Sequence, residues 1–418
     1  MKGKRKENWT VWPPFDRLWL PFWDKRVLAA GLCCLLLFTG CRAQEQRTDM
    51  SEPESLIVSQ MVPAAPKGLE IAVGEETVTL YPGEENYRTV TLLEALPRSE
   101  AAATVQILLE DQQVFSGSTS NLEDFLPAKN GSYDYLFTDG ENAYALTVET
   151  AFAPQISWPE GAVELGEVLP IAVRYTDAET VSAETTLSFQ PSFYKWEGAW
   201  EGLLPIHWNT QPGIYPLTVR AGTAVFELAI TVSDRAFEIQ NLTVDETTTS
   251  QTVDNNEANA EWNTKIEPMK EISDPVQYWS GEFIQPVEGE LTTQYGMIRY
   301  VNGNPTSVRH SGVDLAADEG TPVQAAGAGR VLFADYLQLT GNTVLIEHGL
   351  GLKSWYYHME SLNVAQGDMV EQGQVIGKVG STGFSTGPHL HFAMSVNRVF
   401  VNPGTAIEKG IVWEGAGE

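Results

Sequence analysis

Cysteine is almost absent from this 418-residue chain. Its three copies, Cys33, Cys34 and Cys41, all lie in the first tenth. The remaining residues therefore hold no disulfide framework, and a thiolate metal site is excluded there. Histidine is scarce too, with six copies. No HExxH segment occurs, which excludes the helical zinc-protease geometry. Cations are few: 26 Lys and Arg stand against 55 Asp and Glu, giving a formal net charge of −29 and a pI near 4.5. Such a surface repels nucleic acid, anionic membrane and anionic wall polymers, so no nucleic-acid partner is expected. Long apolar runs are missing as well. The longest, 27–40, has about 14 residues, whereas a spanning helix needs ~20.

What is present is concentrated near the C-terminus. Four of the six histidines fall in three short blocks: His310 in RHSGVDLAA, His358 in WYYHMESL, and His389 and His391 in TGPHLHFAM. Asp314 lies four residues after His310. A catalytic zinc takes three protein ligands and keeps a fourth position for water. In PHLHF the apolar neighbours predict a strand, and residues i and i+2 of a strand share a face. His389 and His391 then stand side by side, which suits one ligand and one neighbour acting on the bound water or the substrate. In an extended strand His310 and Asp314 would lie ~13 Å apart. To share a metal the chain must turn at Ser311 and Gly312, which glycine permits. With no HExxH glutamate, the general base falls to a histidine.

The surrounding segment carries further motifs in a fixed order: WSGEFIQPVEGELTTQYGMIRYVNG, RHSGVDLAADEGTPVQAAGAGRVLFAD, GNTVLIEHGLG, WYYHMESL, VAQGDMVEQGQVIGKVGSTGFSTGPHLHF and VNP. Over 279–404 it resembles the lysostaphin/LytM-type zinc metallopeptidases that cut peptidoglycan. The resemblance implies zinc ligands at His310, Asp314 and His391 and catalytic histidines at His358 and His389. It also implies an antiparallel β-sheet domain of the duplicated hybrid motif or barrel-sandwich kind, with a groove on its surface. Tyr295 stands where phenylalanine is commoner. His348 matches a structural position, and Tyr356 and Tyr357 are candidates either for the groove or for the strand core. His207 lies outside the segment and reads as a packed or surface residue. VAQGDMVEQGQVIGKVG also resembles lipoyl and biotinyl carrier domains, but it lacks the lysine that would bear a cofactor at the exposed turn.

Upstream the chain is strand-rich. Runs such as ETVTLYPG, ATVQILLED, AYALTVETAF, LPIAVRYTD and AVFELAITVSD alternate β-branched or aromatic residues with polar ones. NGSYDYLFTDGENAYALTVETAF and PGIYPLTVRAGTAVFELAITVSD form an internal repeat, with Tyr133 and Tyr215 in equivalent positions. The expected fold is mainly β: two tandem Ig-like sandwiches at 68–154 and 155–243, a linker at 244–275 with a short helix near 258–267, and the peptidase domain at 276–418. The sandwiches read as spacers or as an inhibitory or orienting module.

Residues 1–41 read as a signal or membrane-anchor segment and 42–67 as a tether. LFTGC resembles a lipoprotein cleavage site with Cys41 as the lipid-bearing residue; the alternative is an uncleaved signal anchor. Either places the enzyme outside the cytoplasmic membrane, facing the cell wall. The expected function is zinc-dependent cleavage of peptidoglycan peptides. The alternative is a silent scaffold that recruits or activates another wall or sporulation protein.

Overall fold

The computed structural model describes residues 67–243 and 256–413. The lipid or anchor expectations for 1–41 and the tether to residue 66 lie outside the described residues. Among the described residues no helix is long and apolar enough to cross a membrane.

The architecture is mainly β. Residues 68–152 form two sheets. One holds Glu76–Leu80, Leu69–Val73 and Pro97–Arg98; the other holds Tyr87–Val90, Ala143–Thr150, Gly131–Thr138, Thr104–Leu109 and Gln112–Ser118. Alternation in the sequence becomes alternation of burial, so that Ile71, Leu80, Val105, Ile107, Tyr133 and Phe137 close one core between the sheets. Residues 155–233 repeat the plan. Ala162–Glu164, Ala224–Ser233, Gly213–Ala221 and Val181–Thr185 face Phe193–Trp196, Ala199–Pro205, Val168–Arg174 and Gln155–Ser157. The internal repeat has structural counterparts. In each unit an early strand runs parallel to the last one. The paired tyrosines make the same tie: Tyr133 Oη donates to the Lys129 carbonyl at 2.7 Å, and Tyr215 Oη donates to the Gln211 carbonyl at 2.7 Å. A tyrosine bonded back to upstream backbone pins the corner of Ig-type sandwiches.

The second unit is joined to the C-terminal domain. Strands Val168–Arg174 and Ala199–Pro205 are buried almost throughout. Leu204 and Ile171 fill their own sandwich, whereas Ala172 and Leu203 enter the C-terminal core. Trp413 Nε1 donates to the Ile171 carbonyl at 3.2 Å, and the Asn402 amide donates to the Gly166 carbonyl at 2.7 Å.

Within the stretch that reads as linker, Asn256–Lys265 is an α-helix (α1) followed by a 3₁₀ turn, Glu267–Glu271. Ala258, Trp262 and, one residue past its end, Ile266 are spaced four apart and form an inward stripe. Trp262 stacks on Trp355 at 6.4 Å and meets Tyr357 edge-on at 6.3 Å. Glu267 and Glu271 both pair with Arg398.

The C-terminal domain is an eight-stranded antiparallel sheet. Its order is Glu290–Thr293, Val313–Ala316, His389–Val396, Leu352–Met359, Gly341–Gly349, Gly329–Leu337 and Met369–Val370, with Val399–Val401 beside His389–Val396. A small sheet of Pro322–Gln324, Val375–Lys378 and Ser361–Leu362 covers part of it. Leu352–Met359 is buried at every position, because other elements cover both faces of the sheet. Its Lys353 meets Glu347 at 3.0 Å, both fully buried.

Candidate metal centre and groove

Three adjacent strands deliver the site. Val313–Ala316 pairs with His389–Val396 so that Asp314 lies opposite His391, and Leu352–Met359 places Tyr357 opposite His391 on the other side. His310 reaches the same point through the predicted turn. At Gly312 a Cβ would come within 2.2 Å of the Phe392 carbonyl oxygen, so only glycine lets the turn lie this close to the next strand. His358, the penultimate residue of Leu352–Met359, has φ of +64°, a left-handed conformation uncommon outside glycine. Its amide donates to the Thr340 carbonyl at 2.8 Å, which holds that conformation.

His310 Nε2 lies 3.0 Å from Asp314 Oδ1 and 3.0 Å from His391 Nδ1, and His391 Nδ1 lies 2.8 Å from Asp314 Oδ1. His310 and His391 are buried and Asp314 is nearly so. Tautomers follow from the outer contacts. His310 Nδ1 sits 3.0 Å from the Gln294 carbonyl, which can only accept, so Nδ1 carries the proton and Nε2 presents a lone pair. His391 Nε2 is 3.3 Å from Ser311 Oγ, leaving Nδ1 to the cluster. Three lone-pair atoms converge, and they repel one another unless a cation or proton lies between them. Two imidazoles and a carboxylate with backbone and hydroxyl outer partners fit zinc.

The electrostatics agree with ligand states. Burial pushes the Asp314 carboxyl up, but contacts with His310 and His391 overcome it and hold it well below the usual carboxylate range. Burial lowers His391 to about 4, against the pull of Asp314. Both groups are therefore deprotonated at neutral pH, as metal binding requires.

His358 and His389 face the same groove, with ring centroids 4.8 Å apart, and His389 Nε2 is 3.9 Å from Asp314 Oδ1. His358 Nδ1 donates to the Thr382 carbonyl at 2.8 Å, and His389 Nδ1 donates to the Gly387 carbonyl at 2.8 Å. Each ring thus has its Nε2 left as the proton-accepting atom. Burial, then the neighbouring His389 and His391, lowers His358 to about 3, so it is neutral at pH 7.

The two tyrosines divide. Tyr357 stacks on His391 at 5.0 Å with planes 8° apart and lines the groove. Tyr356 is core, its Oη accepting from the Ala326 amide at 2.8 Å. His348 is also core, held between the Ala328 carbonyl and Ser354 Oγ at 2.7 Å each. His207 stays in the second sandwich beside Asn209. Sequence reasoning missed Gln240 and Arg299, which line the groove from before the histidine blocks. Arg299 falls within the first quoted block, but neither it nor Gln240 belongs to a residue pattern that carries a chemical role by itself.

Two imidazoles and a carboxylate opening on a groove with two more imidazoles make a metallohydrolase-type centre. Residues 308–403 match the model of Peptidase family M23. The chain is 47% identical over 94 residues to the DD-carboxypeptidase/endopeptidase Mpg of Neisseria meningitidis serogroup B, covering 22% of each chain. It is 45% identical over 96 residues to the peptidoglycan DD-endopeptidase ShyC of Vibrio cholerae serotype O1, covering 23% of this chain and 22% of that one. Lysostaphin of Staphylococcus staphylolyticus is 44% identical over 90 residues, covering 21% of this chain and 19% of its own. The chain thus spans about a fifth of the length of these curated relatives.

Proposed function

We propose that this chain is a zinc-dependent endopeptidase that hydrolyses peptide bonds of peptidoglycan stems or cross-bridges outside the cytoplasmic membrane. The observation that carries the reading is the convergence of His310 Nε2, Asp314 Oδ1 and His391 Nδ1 within 3.0 Å, beside two histidines whose Nε2 atoms are free of backbone partners by tautomer. The names of the M23 relatives supply the substrate class.

His310, Asp314 and His391 would hold the metal. When bound, zinc supplies a Lewis acid and a water of lowered pKa. This chain's own residues do the rest. His358 and His389 accept a proton at Nε2 from the attacking water and return one to the departing amine. The Thr382 and Gly387 carbonyls hold the rings in the tautomer that permits this. Tyr357 fixes the plane of His391 and shields it from water. Residues 1–41 would supply the membrane attachment, through a lipid on Cys41 or through the apolar run 27–40, and the sandwiches would hold the peptidase domain away from the membrane.

The test is mass spectrometry of muropeptides after purified peptidoglycan is incubated with the protein. New peptide termini that vanish with a chelator and return with zinc support the reading. An unchanged muropeptide profile with zinc present refutes it.

A further inference from the structure

We propose that Arg299, held by Gln240, reads a free carboxylate beside the scissile bond, so that the groove selects carboxylate-bearing cross-links over glycyl bridges. The inference rests on the endopeptidase reading and narrows its substrate class.

The groove measures about 460 Å³, within the range of sites that hold small ligands. Its ionisable lining, among the described residues, is Arg299, Asp314, Tyr357, His358, His389 and His391. Arg299 is the one fixed positive charge in that set, in a chain whose formal charge is −29. It stands on the strand Ile298–Val301, which pairs in parallel with Ile239–Leu242 and sets Gln240 opposite Arg299. Gln240 Oε1 accepts from Arg299 Nε at 3.1 Å, and Gln240 Nε2 donates to Thr293 Oγ1 at 3.0 Å. The amide is thereby oriented at both ends, and it fixes the plane of the guanidinium. Arg299 is half-buried and lines the same groove as Asp314, His389 and His391, which places it beside the metal-type cluster. A planar guanidinium held from behind is the group that recognises carboxylates by paired hydrogen bonds. In a peptide substrate the anionic groups are carboxylates. A pentaglycine bridge has none next to its internal bonds, whereas a cross-link made to the side-chain amine of a diamino acid can carry one on the carbon that bears that amine.

The experiment measures kcat/KM of the zinc-loaded full chain on two synthetic peptides. In each, D-alanine is joined to the side-chain amine of a diamino acid. The carbon bearing that amine carries a carboxylate in one peptide and a carboxamide in the other. A pentaglycine peptide is the third substrate. Wild type should favour the carboxylate peptide by about 10-fold or more, the worth of a charge-assisted bond. Arg299→Gln should bring that ratio close to one with zinc content unchanged. Gln240→Ala should raise KM for the carboxylate peptide more than it lowers kcat, as expected of a positioning residue. If Arg299→Gln misfolds, Arg299→Lys, which keeps charge but loses the fork, should retain only part of the preference. A wild-type ratio near one, a ratio that survives in Arg299→Gln, or preferred cleavage of pentaglycine overturns the inference alone. Failure to cut any of the three peptides overturns the endopeptidase reading.

Discussion

Glu201 gives the joint between the second sandwich and the peptidase domain a measurable pH dependence. It lies on Ala199–Pro205, two residues before Leu203 and opposite Ala172, both of which enter the peptidase core. Strand alternation puts all three on the docking face. Glu201 is 6% exposed, and its Oε2 has no hydrogen-bond partner among the described residues. Burial, partly offset by the Arg174 charge, raises its carboxyl from 4.5 to about 7. The folded state thus binds the proton more tightly than the unfolded one. Stability is unpenalised below the unfolded value and falls as pH rises from about 4.5 to about 7. The full penalty is about 3 kcal/mol at 1.36 kcal/mol per unit. Glu201→Gln removes the charge while keeping the shape. It should stabilise the protein by about 3 kcal/mol at pH 8 and by about 1 kcal/mol at pH 5. Calorimetric unfolding at those two values reads it; pH 5 stays clear of the pI near 4.5, where solubility is least. An equal effect at both pH values, or none at pH 8, refutes the burial argument.

Three further outcomes are expected. Asp314→Ala should lose bound zinc with the fold kept, so full occupancy by elemental analysis in that variant would remove Asp314 from the ligand set. His358→Ala and His389→Ala should keep zinc and lose about 10²–10⁴-fold in hydrolysis, the range for general acid–base help; zinc loss in His389→Ala would mean that His389 and His391 exchange roles. Cys41→Ser should abolish labelling by a fatty-acid analogue and block processing or release the protein, whereas an unlabelled wild type that still fractionates with membranes would favour a signal anchor.

Much of the β architecture was legible because alternation survives wherever one face of a sheet meets solvent. Gly131–Thr138 shows it, with Tyr133, Tyr135 and Phe137 inward. The histidine blocks were legible because histidine is scarce and three blocks fall within one Gly-rich segment. Docking was harder to read. In Val168–Arg174 and Ala199–Pro205 the apolar run is continuous, since both faces are covered, and such runs say that a second layer exists without naming it. The helix α1 was faint for a related reason. The inward stripe is only Ala258, Trp262 and Ile266, so a packed element has the composition of a linker. Gln240 and Arg299 were invisible because their placement depends on a parallel pairing between segments about sixty residues apart.

That pairing bears on what the functional unit is. The family segment 308–403 contains the whole donor set, yet it does not build its own surroundings. Arg309, next to His310, is clamped from the second sandwich by Trp208 at 4.4 Å and Phe237 at 4.7 Å. His310 Nδ1 is bonded by Gln294, and the groove wall beyond Asp314 is formed by Gln240, Thr292, Thr293 and Arg299. On the opposite side, Glu261 of α1 accepts from the Gln338 amide at 2.9 Å, steadying the loop whose Thr340 carbonyl holds the His358 backbone. A metal held there would tolerate little looseness, because its donors must meet it within a few tenths of an ångström. Elements outside the family segment therefore set the shape of the groove and the rigidity of the donor side chains. The sandwich that reads as a spacer thus braces Arg309 beside His310, and the strand Ile239–Leu242 that follows it supplies Gln240 to the groove wall.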